Sequence, residues 1–145
     1  VTLRQQQCER AHDYFQQALD IHTHLGLKAE IIADLSYLGQ VHLCLDEPEE
    51  ALASSEQAIA LLAEQKEVGE VQQIYLNHYY VLRALEAAGG GADDLEAEAF
   101  LQKAYAAMMD QADRIADEQE RHIFLENVRV NQEIHTLWQE VESRQ

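Results

Sequence analysis

The chain of 145 residues has one proline, two cysteines, one tryptophan and little positive charge. Each scarcity excludes something. With Pro48 alone, almost nothing interrupts a long helix. Cys8 and Cys44 do not make a disulfide framework, and they read as two small thiols, buried or half-buried. That reading makes a cytoplasmic location the expectation. The lysines are Lys28, Lys66 and Lys103, and the ten basic residues face 27 acids, for a formal net charge of −17. Nucleic-acid binding needs a basic surface to displace counterions, so it is not expected. The same field repels an anionic membrane surface. No apolar run approaches the length of a bilayer-spanning helix, and no signal-peptide pattern is visible. The chain opens at Val1 without a methionine, which suggests a piece of a longer protein.

What is abundant points one way. Nearly half the residues are hydrophobic, enough for a real core in one domain. Ala, Leu, Glu and Gln dominate, all good helix formers. Clean period-two alternation is missing over any long stretch. The chain reads as all-α.

It also repeats itself. Residues 11–21, "AHDYFQQALDI", align with 51–61, "ALASSEQAIAL", at an offset of 40, and with 97–107, "AEAFLQKAYAA", after a further 46. Two alanines seven apart recur each time: Ala11 and Ala18, Ala51 and Ala58, Ala97 and Ala104. The preceding segments also match, "LSYLGQVHL" at 35–43 with "YLNHYYVLR" at 75–83. The extra residues of the third copy fall in "AAGGGADD", 87–94, where successive glycines mark a loop. Gly39, inside an apolar helical run, costs about 1 kcal/mol against alanine unless a neighbour needs the space. Ala51 and Ala58 supply a complementary small surface for a second helix packed closely on the first.

The residues Leu35, Leu38-Gly39, His42, Ala51, Ser55 and Ala58 resemble the helical hairpin of the tetratricopeptide repeat, W-x2-L-G-x2-Y followed by A-x3-F-x2-A. Phe15 supplies the second-helix aromatic in the first copy. His42 and Ser55 depart from the pattern, and Tyr79 stands where the third copy would have glycine. The resemblance covers about residues 5–110. It implies antiparallel hairpins stacked as a right-handed superhelix within a single domain over 1–145: a half repeat at 1–25, repeats at 27–65 and 67–115, and capping helices at 117–145.

The helices are expected at about 3–24, 27–45, 48–64, 68–88, 94–115, 118–128 and 131–143. Pro48 suits a first helical turn, and Glu49 and Glu50 complement the helix dipole. Asp93 with Glu96, and Asp117 with Glu120, read as helix starts. Asn131 is expected to cap the last helix. Val130, Ile134, Leu137, Trp138 and Val141 form one apolar stripe there, expected to cover the open end of the last hairpin. The tail, with Arg121-x2-Phe124-Leu125, Glu126-Asn127-Val128 and Trp138, resembles the closing segment of helical-repeat regions in large bacterial multidomain proteins. Those carry a signalling ATPase, adenylate-cyclase or transcriptional-regulator module ahead of the repeats. Arg129 stands where such segments commonly have proline.

Chemistry is harder to find. His22 and His24 diverge on a helix and the other histidines are isolated, so no metal site is expected. Ser36, Ser54 and Ser55 lie in helices without a nucleophile elbow, and "GGGADD" lacks a phosphate-loop Lys-Ser/Thr. Neither enzyme activity nor a cofactor is expected. The repeat resemblance implies a concave groove lined by Ser36, Gln40 and Leu43 from one first helix, and by Gln73, Leu76, Asn77, Tyr80 and Arg83 from the next. Asn77 matches a position that holds a peptide backbone in some members. The lysines of chaperone-tail receptors are absent. Arg83 is read as the groove's cation and Tyr80 as its contact residue, or else as packing against a cap helix. The expected role is protein–protein interaction or scaffolding, or sensing within a larger regulator, with a protein, a peptide or another domain of the parent chain as partner. The alternative is a receptor for a small ligand that switches an attached ATPase module. The first helix is expected to leave Leu3 and Tyr14 uncovered and to let the chain pair with a second copy through this end.

Overall fold

A computed structural model describes residues 2–65, 68–89 and 94–144. It is all-helical among the described residues: α1 (Leu3–Leu25), α2 (Lys28–Cys44), α3 (Pro48–Ala63), α4 (Val71–Ala87), α5 (Asp94–Asp113), α6 (Glu118–Asn127) and α7 (Arg129–Ser143). The expected boundaries hold to within about three residues. The largest miss is the start of α4, where Glu70 adopts a left-handed conformation (φ 58°) that a helix cannot continue through. The capping role of Asp93, and the glycine loop at Gly90 and Gly91, lie outside the described residues.

Local chemistry explains the ends. Thr2 and Gln5 form a reciprocal capping box at the start of α1, and Gly26 closes that helix with φ 70°. Pro48 opens α3 with Glu49 and Glu50 behind it. Asp117 accepts from the Glu120 backbone N–H at 2.9 Å and starts α6 as expected. Arg121 reaches back to the end of α5, donating to the Ala112 and Ile115 carbonyls. Ala112 lies in the last turn of α5, where its carbonyl also accepts from the Ile115 N–H, and Ile115 lies just beyond the helix.

Consecutive helices pack side by side. Residue pairing across α1/α2, α2/α3 and α4/α5 runs in opposite chain directions: His22 meets Asp34 while His12 meets His42. Gly39 answers the question its cost raised. A Cβ built there lies 3.4 Å from the Ala51 carbonyl oxygen and 3.4 Å from Ser55 Cβ, so α3 sits directly over it. An alanine fits at this distance; a branched side chain has nowhere to go. Gly39→Leu is therefore expected to cost roughly 1–3 kcal/mol, while Gly39→Ala is neutral or stabilises through helix propensity. Thermal melts of the two variants check this, and equal midpoints for Gly39→Leu and the parent would remove the packing reason for the glycine.

α4 lies on both α2 and α3, and α7 lies on both α5 and α4. The main core joins Leu76, Tyr79 and Leu82 of α4 to Leu101, Ala104 and Met108 of α5 and to Ile134 and Val141 of α7. A second cluster joins Ile32, Leu35, Ala58, Leu62 and Ile74 across α2, α3 and α4. The apolar stripe of α7 thus covers the α4/α5 hairpin, and Trp138 stacks on Tyr105 with ring centroids 5.3 Å apart. Phe124 and Leu125 of α6 pack against the same core.

Two readings are corrected. Asn131 is not a cap: α7 begins at Arg129, behind Val128 in extended conformation. Asn131 is fully buried, donating to the Phe124 carbonyl at 2.9 Å and accepting from the Gln72 amide. Gln72 also accepts from Gln111 at 2.6 Å, so a chain of amides ties α5, α4 and α7 together. Arg129 holds the first helical position, where proline is well tolerated because its missing N–H has no helical partner to lose. The cysteines are not free: Cys8 and Cys44 form a disulfide, with Cα atoms 6.2 Å apart across a sequence separation of 36. The antiparallel α1/α2 pairing brings the start of one helix to the end of the next, a register that spacing alone does not show. Bonded cysteines are usual in oxidising compartments, so cysteine usage no longer argues for the cytoplasm. No helix among the described residues is long and apolar enough to cross a membrane.

Candidate interaction groove

The expected groove residues divide into three groups. Ser36, Gln40, Gln73 and Asn77 come together where α4 crosses α2. The Asn77 amide Nδ2 donates to Ser36 Oγ at 3.0 Å, and its Oδ1 accepts from Gln73 at 2.9 Å. Gln40 donates to the Asn77 backbone carbonyl at 2.8 Å. Ser36 and Asn77 are both buried. The Asn77–Ser36 bond holds α4 to α2 and the Asn77 oxygen is taken by Gln73 of its own helix, which corrects the reading of Asn77 as a residue that holds a peptide backbone. Buried amides with partners stabilise modestly, but leaving one unpaired is costly.

Leu76 and Leu43 form the apolar group. Leu76 is fully buried in the main core and does not line a surface. Leu43 is half-buried and packs against the cluster of Ala51, Val81 and Leu85.

Tyr80 and Arg83 remain at the surface of α4, both engaged. Arg83 lies 2.6 Å from Asp94 and 3.2 Å from Glu86, so it is neutralised within its own hairpin. Its guanidinium also sits 5.9 Å from the Tyr79 ring centre. The Tyr80 hydroxyl donates to Glu133 of α7 at 3.0 Å. Burial, reinforced by that carboxylate, pushes the Tyr80 hydroxyl well above its ordinary pKa, so it stays a donor at every physiological pH. Beside this bond lies a cleft of about 360 Å³ between α4 and α7, lined by Tyr80, Gln132, Glu133, Thr136 and Leu137.

Reasoning from the sequence placed the accessible surface on α2 and α4 and missed Gln132, Glu133 and Thr136. It treated α7 as a lid alone. A signal was present: these three residues lie beside the stripe of Val130, Ile134, Leu137 and Trp138, so one flank of α7 is left to face outward.

One arrangement has the look of chemistry. Ser55 Oγ lies 2.7 Å from His78 Nδ1. Burial, with Lys103 nearby, lowers the His78 pKa to about 4, and the ring meets Phe100 edge-on at 4.4 Å. Yet Ser55 is 2% exposed and His78 3%, so no substrate reaches either. A small hydroxyl fits beneath Gly39 at this position and gives the buried imidazole a partner. Among the described residues, no group of three or more histidines, cysteines or carboxylates is arranged to hold a metal ion. Comparisons with protein-family models, with curated proteins and with solved structures find nothing that matches this chain.

Proposed function

We propose that this chain is a non-catalytic interaction module, built of hairpins stacked as a tetratricopeptide-like superhelix and presenting the face shared by α2, α4 and α7 to a protein or peptide. The observation that carries this reading is the open α4/α7 cleft, with Tyr80 held rigid at its edge by Glu133. An aromatic fixed in place gives contact area at little entropic cost. Gln40 and Gln73 extend a strip of amides along the same face. A trough of this kind suits an extended chain better than a small metabolite, which favours a nearly closed, mostly apolar pocket. The formal charge of −17 and the carboxylate of Glu133 favour a partner with basic character. The tail resemblance supports a partner within a larger regulatory protein, where the module would sense and pass on binding.

The test is a pull-down with this chain as bait from its host lysate, followed by affinity measurement with the captured partner. Tyr80→Ala combined with Glu133→Ala is expected to keep its helicity and to weaken binding roughly tenfold or more. Undiminished affinity of the folded double variant would place the interaction elsewhere.

A further inference from the structure

We infer that α1 is a self-association surface, and that two copies of this chain pair antiparallel along it. The inference uses a face of the molecule remote from the α4/α7 cleft and stands independently of the proposed groove.

α1 packs on α2 alone among the described elements, and none of its described residues is buried. Phe15 and Leu19 face inward, Phe15 stacked on Tyr37 at 5.4 Å. The opposite side carries a second apolar stripe: Leu3 is 71% exposed, Tyr14 68%, Ile21 57% and Leu25 61%. At 100° per residue these four fall within about 40° of one another around the helix. An uncovered stripe of large apolar side chains on a soluble helix marks a contact surface. Tyr14 is also held in place, its ring meeting Phe15 edge-on at 5.2 Å.

Charge and spacing together point to a second copy as the occupant. The chain as a whole carries −17, which opposes self-association over most of its surface. α1 carries little of that charge, with Arg4 and Arg10 against Glu9, Asp13 and Asp20, a formal −1 over the helix. Leu3 and Leu25 are also placed symmetrically about Tyr14, eleven residues to either side and three helical turns each way, while the counterpart of Ile21 is Gln7. Turned antiparallel about an axis at Tyr14, the helix sets Leu3 against Leu25 of its copy, and Leu25 against Leu3. This is the self-complementary pattern that a two-fold interface requires. In that register Arg10 comes within about one turn of Asp20 of the copy, and the ion pair occurs twice. A parallel pairing would instead set Arg10 against Arg10 and Asp20 against Asp20.

Sedimentation of the oxidised chain over a range of concentrations is expected to show a monomer–dimer equilibrium. Tyr14→Glu with Ile21→Glu should raise the dissociation constant roughly tenfold or more. Both sites are exposed, so the helicity of the variant should be that of the parent. Register is read with a short bis-maleimide cross-linker. Tyr14→Cys should cross-link to itself, and Leu3→Cys should cross-link to Leu25→Cys in a mixture of the two, but not to a second Leu3→Cys. A strict monomer at high concentration overturns the proposal. So does a dimer that tolerates the double glutamate variant, or Leu3→Cys cross-linking to itself in preference to Leu25→Cys.

Discussion

Reducing the Cys8–Cys44 bond should lower the stability of this domain by about 2–4 kcal/mol. The bond closes a loop with a sequence separation of 36, joining the start of α1 to the end of α2. Most of its effect comes from restricting the unfolded chain, with more effect for a longer loop. Its native-state role is also unusually exposed here. α1 touches only α2 and buries no described residue, so little else ties this helix down. The His22–Asp34 contact at 2.5 Å, the Phe15–Tyr37 stack, the His12–His42 edge contact and the packing of Leu19 are among what remains. Reduction should therefore loosen α1 first, while the core shared by α4, α5 and α7 persists. Denaturant unfolding with and without reductant, and of Cys8→Ser with Cys44→Ser, measures the loss. Amide hydrogen exchange then shows whether it concentrates in α1. Identical unfolding midpoints for the oxidised and reduced chains would count against this account.

The second large effect is set by pH. Burial holds His78 neutral, its pKa lowered to about 4 against an ordinary value near 6.5. The unfolded chain binds this proton throughout the interval, while the folded chain refuses it. Stability from the neutral imidazole is thus complete above pH 6.5 and is lost as the pH falls toward 4. By pH 4.5 the loss attributable to His78 should be about 2–3 kcal/mol. His78→Gln keeps a side chain able to pair with Ser55 and cannot titrate. Its stability at pH 7 is not the readout; the change between pH 7 and pH 4.5 is. That change should be smaller in the variant by about the same amount. Parallel pH profiles for parent and variant would mean that His78 is protonated in the folded state, contrary to its burial.

Both effects involve residues whose importance is invisible along the chain. Cys8 and Cys44 read as separate thiols, and His78 as one more isolated histidine. The bordering features were legible because their causes are local. Helix-forming composition, the alanines seven apart, Pro48 at a first turn and Asp117 before Glu120 all act within a turn or two, so the seven helices could be placed from the sequence. Gly39 was legible for a related reason: its cost in a helix demands a close neighbour, and Ala51 supplies one. The apolar stripe of α7 follows from periodicity, and the exposure of Leu3 and Tyr14 from the expectation that the first helix lacks a partner over its outer face.

Tertiary structure decided the rest. Which atoms a polar side chain meets depends on the helix beside it, and that neighbour lies tens of residues away. Ser36 and Asn77 spend their polar atoms on each other and on Gln73, so two expected groove residues became part of the packing. Leu76 turned fully inward, and Arg83 was neutralised by Asp94 at the start of α5. Asn131 left its expected cap to join Gln72 and Phe124 in the interior. The α4/α7 cleft exists only because α7 settles on α4 and α5 together. Composition and periodicity determined that this chain is helical and where its helices run; the long-range registers between those helices decided which side chains remain free to meet a partner.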